Sequence, residues 1–145
     1  MRLALLPRLA LPALALALLL SSAALAETVT YKADLKGSDE VPPNDSKGSG
    51  MVEAKYDTAT MKLSYTVTYS GLTGPATAAH FHGPAKAGAS AGPAITLSGK
   101  LDSPIKGEAT LTQTQAQDLA GGLWYLNVHT AAHTAGEIRG QLAKK

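Results

Sequence analysis

The chain has no cysteine among its 145 residues. Disulfides, thiolate metal sites and cysteine nucleophiles are thereby excluded, and stability must come from packing and backbone pairing. Aromatic residues are scarce at 5%, with a single tryptophan and a single phenylalanine to anchor a core. Net charge is missing too, once the N-terminus is set aside. Residues 1–26 read as a secretory signal peptide: Arg2 and Arg8 flank the start, Leu9–Leu20 is apolar, and Ala24-Leu25-Ala26 is a small-x-small cleavage site before Glu27. The apolar run is short for a membrane span and contains Pro12, so no span is expected after signal removal. Without Arg2 and Arg8 the chain carries 11 Lys and Arg against 11 Asp and Glu. A neutral surface without a basic stripe argues against nucleic acid and anionic membranes as partners. The expected mature protein is 27–145, exported, periplasmic or secreted, and one domain large enough to bury its own core.

What the chain does have is alternation. Thr28–Leu35 sets Val29, Tyr31, Ala33 and Leu35 against Thr30, Lys32 and Asp34, the period of a half-buried strand. The stretch 37–45 is turn chemistry, with consecutive prolines at 42 and 43. Gly50–Tyr56 and Met61–Tyr69 alternate on either side of Asp57-Thr58-Ala59-Thr60, which predicts a hairpin. Further strands are expected over Ala76–His82, Ala94–Leu97, Ile105–Leu111, Leu123–Thr130 and Glu137–Leu142. The segment 83–93 is a Gly/Pro/Ala loop with side chains too small to pack a core. One stretch breaks the pattern. Residues 112–122 open on Thr-x-x-Gln and close on glycine, a capping box and stop that predict a short helix. Short strands with regular turn signals point to an all-β antiparallel sandwich or barrel.

All four histidines of the chain fall in two motifs, His80-Phe81-His82 and His129-Thr130-Ala131-Ala132-His133. On a strand, His80 and His82 share one face while Phe81 takes the other. Two adjacent imidazoles are how a β-protein offers two ligands to one metal ion, and His129, at the end of another strand, would supply a third. Imidazole sets suit Cu, Zn, Fe or Ni, with affinity peaking at Cu(II), so copper is expected ahead of zinc. With three ligands the site keeps an open position; with His133 as a fourth it closes. Leu126, Val128 and Trp124 form the core face of their strand, leaving Tyr125, Asn127 and His129 on a mixed face. Asn127 and Glu137 are the candidates for holding a histidine in place. Glu137 and Arg139 otherwise read as a solvated pair worth little energetically.

The remaining motifs carry less. Met51 and Met61 sit in strand alternation, so packing is expected rather than copper ligation. Asp39, Glu40 and Asp45 cluster in the Pro-rich loop but match no calcium-loop spacing. There is no Ser/His/Asp order and no Lys-Ser/Thr ending to make a phosphate loop of 83–93.

Taken together, Ala79-His80-Phe81-His82-Gly83-Pro84-Ala85, Gly121-Gly122-Leu123-Trp124-Tyr125-Leu126-Asn127-Val128-His129-Thr130 and Gly136-Glu137-Ile138-Arg139-Gly140-Gln141-Leu142 resemble the CHRD domain. This is the domain named for chordin, and it also occurs alone in exported bacterial proteins. Glu40-Val41-Pro42-Pro43, Gly50 and the helix opening at Leu111–Gln115 fit the same pattern, and the resemblance spans roughly Val29 to Leu142, which makes 27–145 one such domain. It implies an immunoglobulin-like β-sandwich of Greek-key type with one short helix. It also implies histidines at His80, His82 and His129, while the family more often has another residue at the position of His133. The ligand types are similar to those of copper–zinc superoxide dismutase, by analogy alone and without a full zinc-ligand set. Three readings are open: a copper-binding protein, a copper oxidoreductase of superoxide dismutase type, and a non-catalytic protein-binding module like the chordin domains. A protein partner or a homodimer fits any of them.

Overall fold

The computed structural model describes residues 25–145. The signal peptide expected over 1–26 lies outside the described residues except for its last two. The described residues form nine strands and one α-helix: β1 (Thr28–Lys36), β2 (Ser49–Asp57), β3 (Lys62–Ser70), β4 (Ala76–His82), β5 (Pro93–Thr96), β6 (Ile105–Thr110), α1 (Gln113–Ala120), β7 (Tyr125–Thr130), β8 (Ile138–Gln141) and β9 (Ala143–Lys144). A single 3-10 turn at Gly37–Asp39 and the short β9 are not legible from alternation. Among the described residues no helix is long and apolar enough to cross a membrane.

The strands join in one antiparallel sheet in the order β5-β4-β7-β8-β1-β2-β3-β6, with β9 beside β1. The sheet curls over its own apolar side. Tyr65 of β3 and Phe81 of β4 stand toward opposite ends of the strand order, yet their rings meet edge to face at 5.4 Å. The architecture is thus all-β, antiparallel and between sandwich and barrel, a coarser class than the immunoglobulin-type Greek key expected from the sequence.

Local chemistry explains the element boundaries. The β2–β3 hairpin pairs Ser49 with Ser70 through to Asp57 with Lys62. Asp57 Oδ1 accepts the N–H groups of Ala59 and Thr60, both at 2.9 Å, so the aspartate closes the turn with its own side chain. Met61, expected as the first residue of the strand, instead takes a left-handed φ of 59° and finishes the turn. The helix is capped as its sequence predicts: Gln115 N–H donates to Thr112 Oγ1 at 3.2 Å, and Thr112 N–H donates to Gln115 Oε1 at 2.9 Å. Its inner face buries Leu119.

Strand β7 is the one that positions the histidines. Every one of its residues is buried, because the sheet interior covers one face and loops cover the other. Trp124, Leu126 and Val128 are fully buried beside Phe81, Leu35 and Ile138. The β4–β7 ladder places His82 opposite Tyr125, His80 opposite Asn127, and Ala78 opposite His129. On the far side of β7, Arg139 of β8 faces Asn127. The polar face of β4, β7 and β8 therefore gathers two histidine strands and an arginine strand.

Phe81 fixes the register of this arrangement by filling the core between Tyr65 and Trp124. Truncation of so large a buried ring leaves a cavity that the sheet cannot collapse to fill. Phe81→Ala is expected to cost about 3–5 kcal/mol, measured as a fall in the denaturant midpoint of unfolding.

Candidate metal centre

The structure brings His80, His82 and His129 together: one ring nitrogen from each lies within 4.8 Å of the others. The rings pack edge to face, His80 with His82 at 5.3 Å between centroids and His80 with His129 at 4.9 Å. His82 and His129 are only 8% and 9% exposed. His133, the expected fourth ligand, is outside this group. It lies in the turn after β7, where its backbone exchanges hydrogen bonds with Thr130 at 3.2 and 3.3 Å. That turn bends the chain away after His129, so the four-residue spacing does not return the side chain to the cluster.

The hydrogen bonds set the ring tautomers. His129 Nδ1 lies 2.9 Å from the carbonyl of Thr134, and a carbonyl only accepts, so this nitrogen carries the proton. Nε2 of the neutral ring is then a lone pair, and His80 Nδ1 donates to it at 3.0 Å. His82 Nδ1 likewise donates to the carbonyl of Ala91 at 2.9 Å. Two of the three imidazoles are thus held through Nδ1 by backbone oxygen, which is how metal-ligating histidines are commonly oriented. His82 Nε2 meets a third oxygen, Asn127 Oδ1, at 3.0 Å. Burial lowers the pKa of His82; the Ala91 and Asn127 oxygens oppose this, while His129 and Arg139 add to the lowering. His80 is lowered as well, by burial first and then by His129 and His82. Both shifts favour the neutral imidazole, the form that binds metal.

Around the histidines lies a layer of polar side chains that is almost wholly buried. The Tyr125 ring stacks parallel on His82 at 4.8 Å, and Arg139 lies 3.4 Å over the same ring. Since β7 runs between β4 and β8, histidine and guanidinium flank the tyrosine from opposite sides. The loop 83–93 covers this layer, and its small side chains let the backbone come close. Ala91 O accepts from Tyr125 as well as His82, Ala89 O accepts from Arg139, and Ala85 O accepts from Gln141. The loop enters at Gly83, where a Cβ would collide with the edge of the Trp124 ring.

Glu137 and Arg139 are not a solvated pair. Glu137 is fully buried and Arg139 is 3% exposed, and no ion pair joins them among the described residues. Glu137 also holds no histidine. Its carboxylate accepts from the hydroxyls of Ser46 at 2.6 Å, Thr130 at 2.6 Å and Thr73 at 2.7 Å, and from Thr73 N–H at 2.9 Å. It ties the β3–β4 connection and the segment before β2 to the end of β7. Burial works against its charge, but these donors outweigh it and hold the pKa down at about 2.

The carboxylate that does approach the histidine layer is Glu40, which in sequence sits in an acidic loop cluster. It is 5% exposed, and its Oε1 is buried without a hydrogen-bond partner. Burial raises its pKa to about 7, against the pull of Arg139, the Asn127 amide and the Val41 N–H. Glu40 and Arg139 line one cleft of about 520 Å³, together with Ser38, Val41 and Gln141. The signal in the sequence is Glu-Val-Pro-Pro itself, a charged residue pinned by rigid neighbours, but alternation says nothing about which loop folds inward.

Comparison with protein families gives one match: a family model for the CHRD domain covers residues 31–142. The chain belongs to the CHRD family. Comparison with curated proteins and with solved structures finds no match.

Two stability measurements check this assignment of carboxylates. Glu137→Gln is expected to cost about 1.5–3 kcal/mol, the value of hydrogen bonds to a charged group. The contribution of Glu137 is complete above the ordinary pKa of 4.5 and is lost as pH falls toward 2, so acid unfolding of the variant should be flatter in that window. Glu40 has the opposite sign. Its raised pKa makes the folded state bind a proton more tightly, so stability falls as pH rises from 4.5 to about 7. In Glu40→Gln that decline should disappear from a series of denaturation curves across the window.

Proposed function

We propose that this CHRD protein binds one divalent transition-metal ion, copper ahead of zinc, through His80, His82 and His129, and that it does so after export. One observation carries the reading: three imidazole nitrogens converge, and two of the rings are already fixed through Nδ1 by backbone carbonyls. Coordination at about 2.0–2.1 Å puts neighbouring tetrahedral ligands about 3.3 Å apart, so the ring nitrogens, now within 4.8 Å of one another, would draw closer around an ion. An all-nitrogen set from neutral imidazoles suits Cu(II) best among common divalent ions. Three protein ligands leave one position for water or a small molecule. The same copper-loaded protein is therefore the sample on which superoxide removal should be measured against free copper.

A second reading has its own support. His80 bonds directly to His129, and His82 donates to the Ala91 carbonyl while its other nitrogen lies against Asn127 of β7. The histidines therefore knit β4 to β7 without an ion, as they would in a non-catalytic protein-binding module. The readings separate on titration. Metal binding predicts one equivalent of Cu(II) or Zn(II) on tag-free protein, with imidazole nitrogen hyperfine structure in the copper EPR spectrum. His80→Ala, His82→Ala or His129→Ala should each weaken binding at least about 10-fold, while His133→Ala leaves it close to wild type. Absence of stoichiometric metal, with lowered thermal stability in the first three variants, would establish the knitting role instead.

A further inference from the structure

An ion would have to displace two contacts in the site: His80 Nδ1 on His129 Nε2 and Asn127 Oδ1 on His82 Nε2, both at 3.0 Å; the second involves a residue that is not itself a ligand. Asn127 Oδ1 occupies the direction of the Nε2 lone pair at 3.0 Å. A metal ion would need to stand about 2.0–2.1 Å from that nitrogen, so the amide must withdraw before His82 can ligate. Nδ1 cannot take over as ligand without breaking the bond to Ala91 O. The question is where the amide goes.

Its other end already faces an answer. Asn127 Nδ2 has one weak bond, to the carbonyl of Ala135 at 3.4 Å. Beside it stands Glu40 Oε1, buried and without a partner. The two atoms meet over Gly136: a Cβ at that position would lie 2.6 Å from Asn127 Nδ2 and closer still to Glu40 Oε1. Gly136 has a φ of 129°, a conformation that disfavours a side chain in any case, and the space it leaves is where the carboxylate and amide approach. An orphaned buried acceptor is costly, and a neighbouring donor with only a long bond is the obvious remedy. The Asn127 amide already pulls on the Glu40 carboxylate as the structure stands, so an amide that leaves His82 has an acceptor beside its Nδ2.

We infer that Glu40 is a positioning residue for the metal site, receiving the Asn127 amide as His82 turns its Nε2 to the ion. This rests on the metal-binding reading above. With Nδ1 of the neutral His82 donating to Ala91, the Nε2–Oδ1 contact joins two acceptors and is no hydrogen bond to lose, while Nδ2 would gain an acceptor at Glu40. Glu40 is not itself a ligand, and the influence proposed for it passes through Asn127. The role expected of Glu137 thus falls to a carboxylate 97 positions earlier in the chain.

The test is a double-mutant cycle read by Zn(II) and Cu(II) titration of the full mature chain. Glu40→Ala should weaken metal binding about 10-fold, as loss of a partner outside the ligands commonly does. Glu40→Gln, which keeps an acceptor oxygen, should stay near wild type. In an Asn127→Ala background the Glu40→Ala effect should vanish, because no amide remains to be received. If Glu40→Ala unfolds part of the sample, Glu40→Met fills the space without an acceptor and replaces it. An equal loss in both backgrounds, or none in either, overturns the inference while leaving the histidine site standing. Failure of the wild-type protein to bind either metal removes the site and the inference together.

Discussion

The histidine centre and the loops around it depend on one strand being covered on both faces. β7 lies near the middle of the half of the sheet that carries the histidines, and neither of its faces reaches water. On one face the consequence is ordinary: Leu126 and Val128 join the apolar core. On the other, Tyr125, Asn127 and His129 must find partners inside the protein, since an unpaired buried polar group costs more than a hydrogen bond returns. The partners are supplied by the neighbours on each side, histidines from β4 and an arginine from β8, and from above by the carbonyls of 83–93. The polar layer is the solution to a burial problem. That the same solution gathers three imidazoles is what gives it chemistry.

Burial of β7 also explains why a loop with almost no side chains is informative. Ala85, Ala89 and Ala91 contribute backbone oxygens to Gln141, Arg139, Tyr125 and His82. Larger residues would hold the backbone away from the sheet. The composition that makes 83–93 look empty is therefore what allows it to act as a rigid ceiling of acceptors. Its entry at Gly83 obeys the same logic, since the chain must pass over the edge of Trp124.

Much of the fold is legible in the sequence because alternation is a local signal. The strands over 28–36, 49–57 and 62–70, and the capped helix at 113–120, fall within a residue or two of their sequence expectation. Each is fixed by its own side chains. The convergence of His80, His82 and His129 is legible only in outline, because strand faces can be read from sequence and distances cannot. Three site residues depart from their sequence expectation. Spacing groups His133 with His129, but the turn diverts it. Strand alternation matches Glu137 to Arg139, yet Glu137 lies in a cage of hydroxyls from Ser46, Thr73 and Thr130. Glu40 looks like one loop acid among several, and burial singles it out. The first is a local turn between Thr130 and His133 that four-residue spacing does not announce; the other two depend on contacts between segments far apart in sequence, for which a single chain gives no local sign. Sheet closure is of the same kind: the Tyr65–Phe81 contact, not the strand list, shows that the sheet folds over itself.

The separation of the histidines along the chain has one more consequence. His80 and His129 are 49 residues apart and meet only because β4 and β7 pair. Long-range pairing of this kind must first overcome the entropy of closing a long loop. Before that pairing the chain holds a pair of imidazoles at one place and another pair elsewhere, with none of the carbonyl partners that orient them. The centre is a property of topology rather than of any peptide within it. Wherever this chain is kept unfolded the site does not exist, so an ion bound there under the proposed reading would be drawn from the supply where folding is completed.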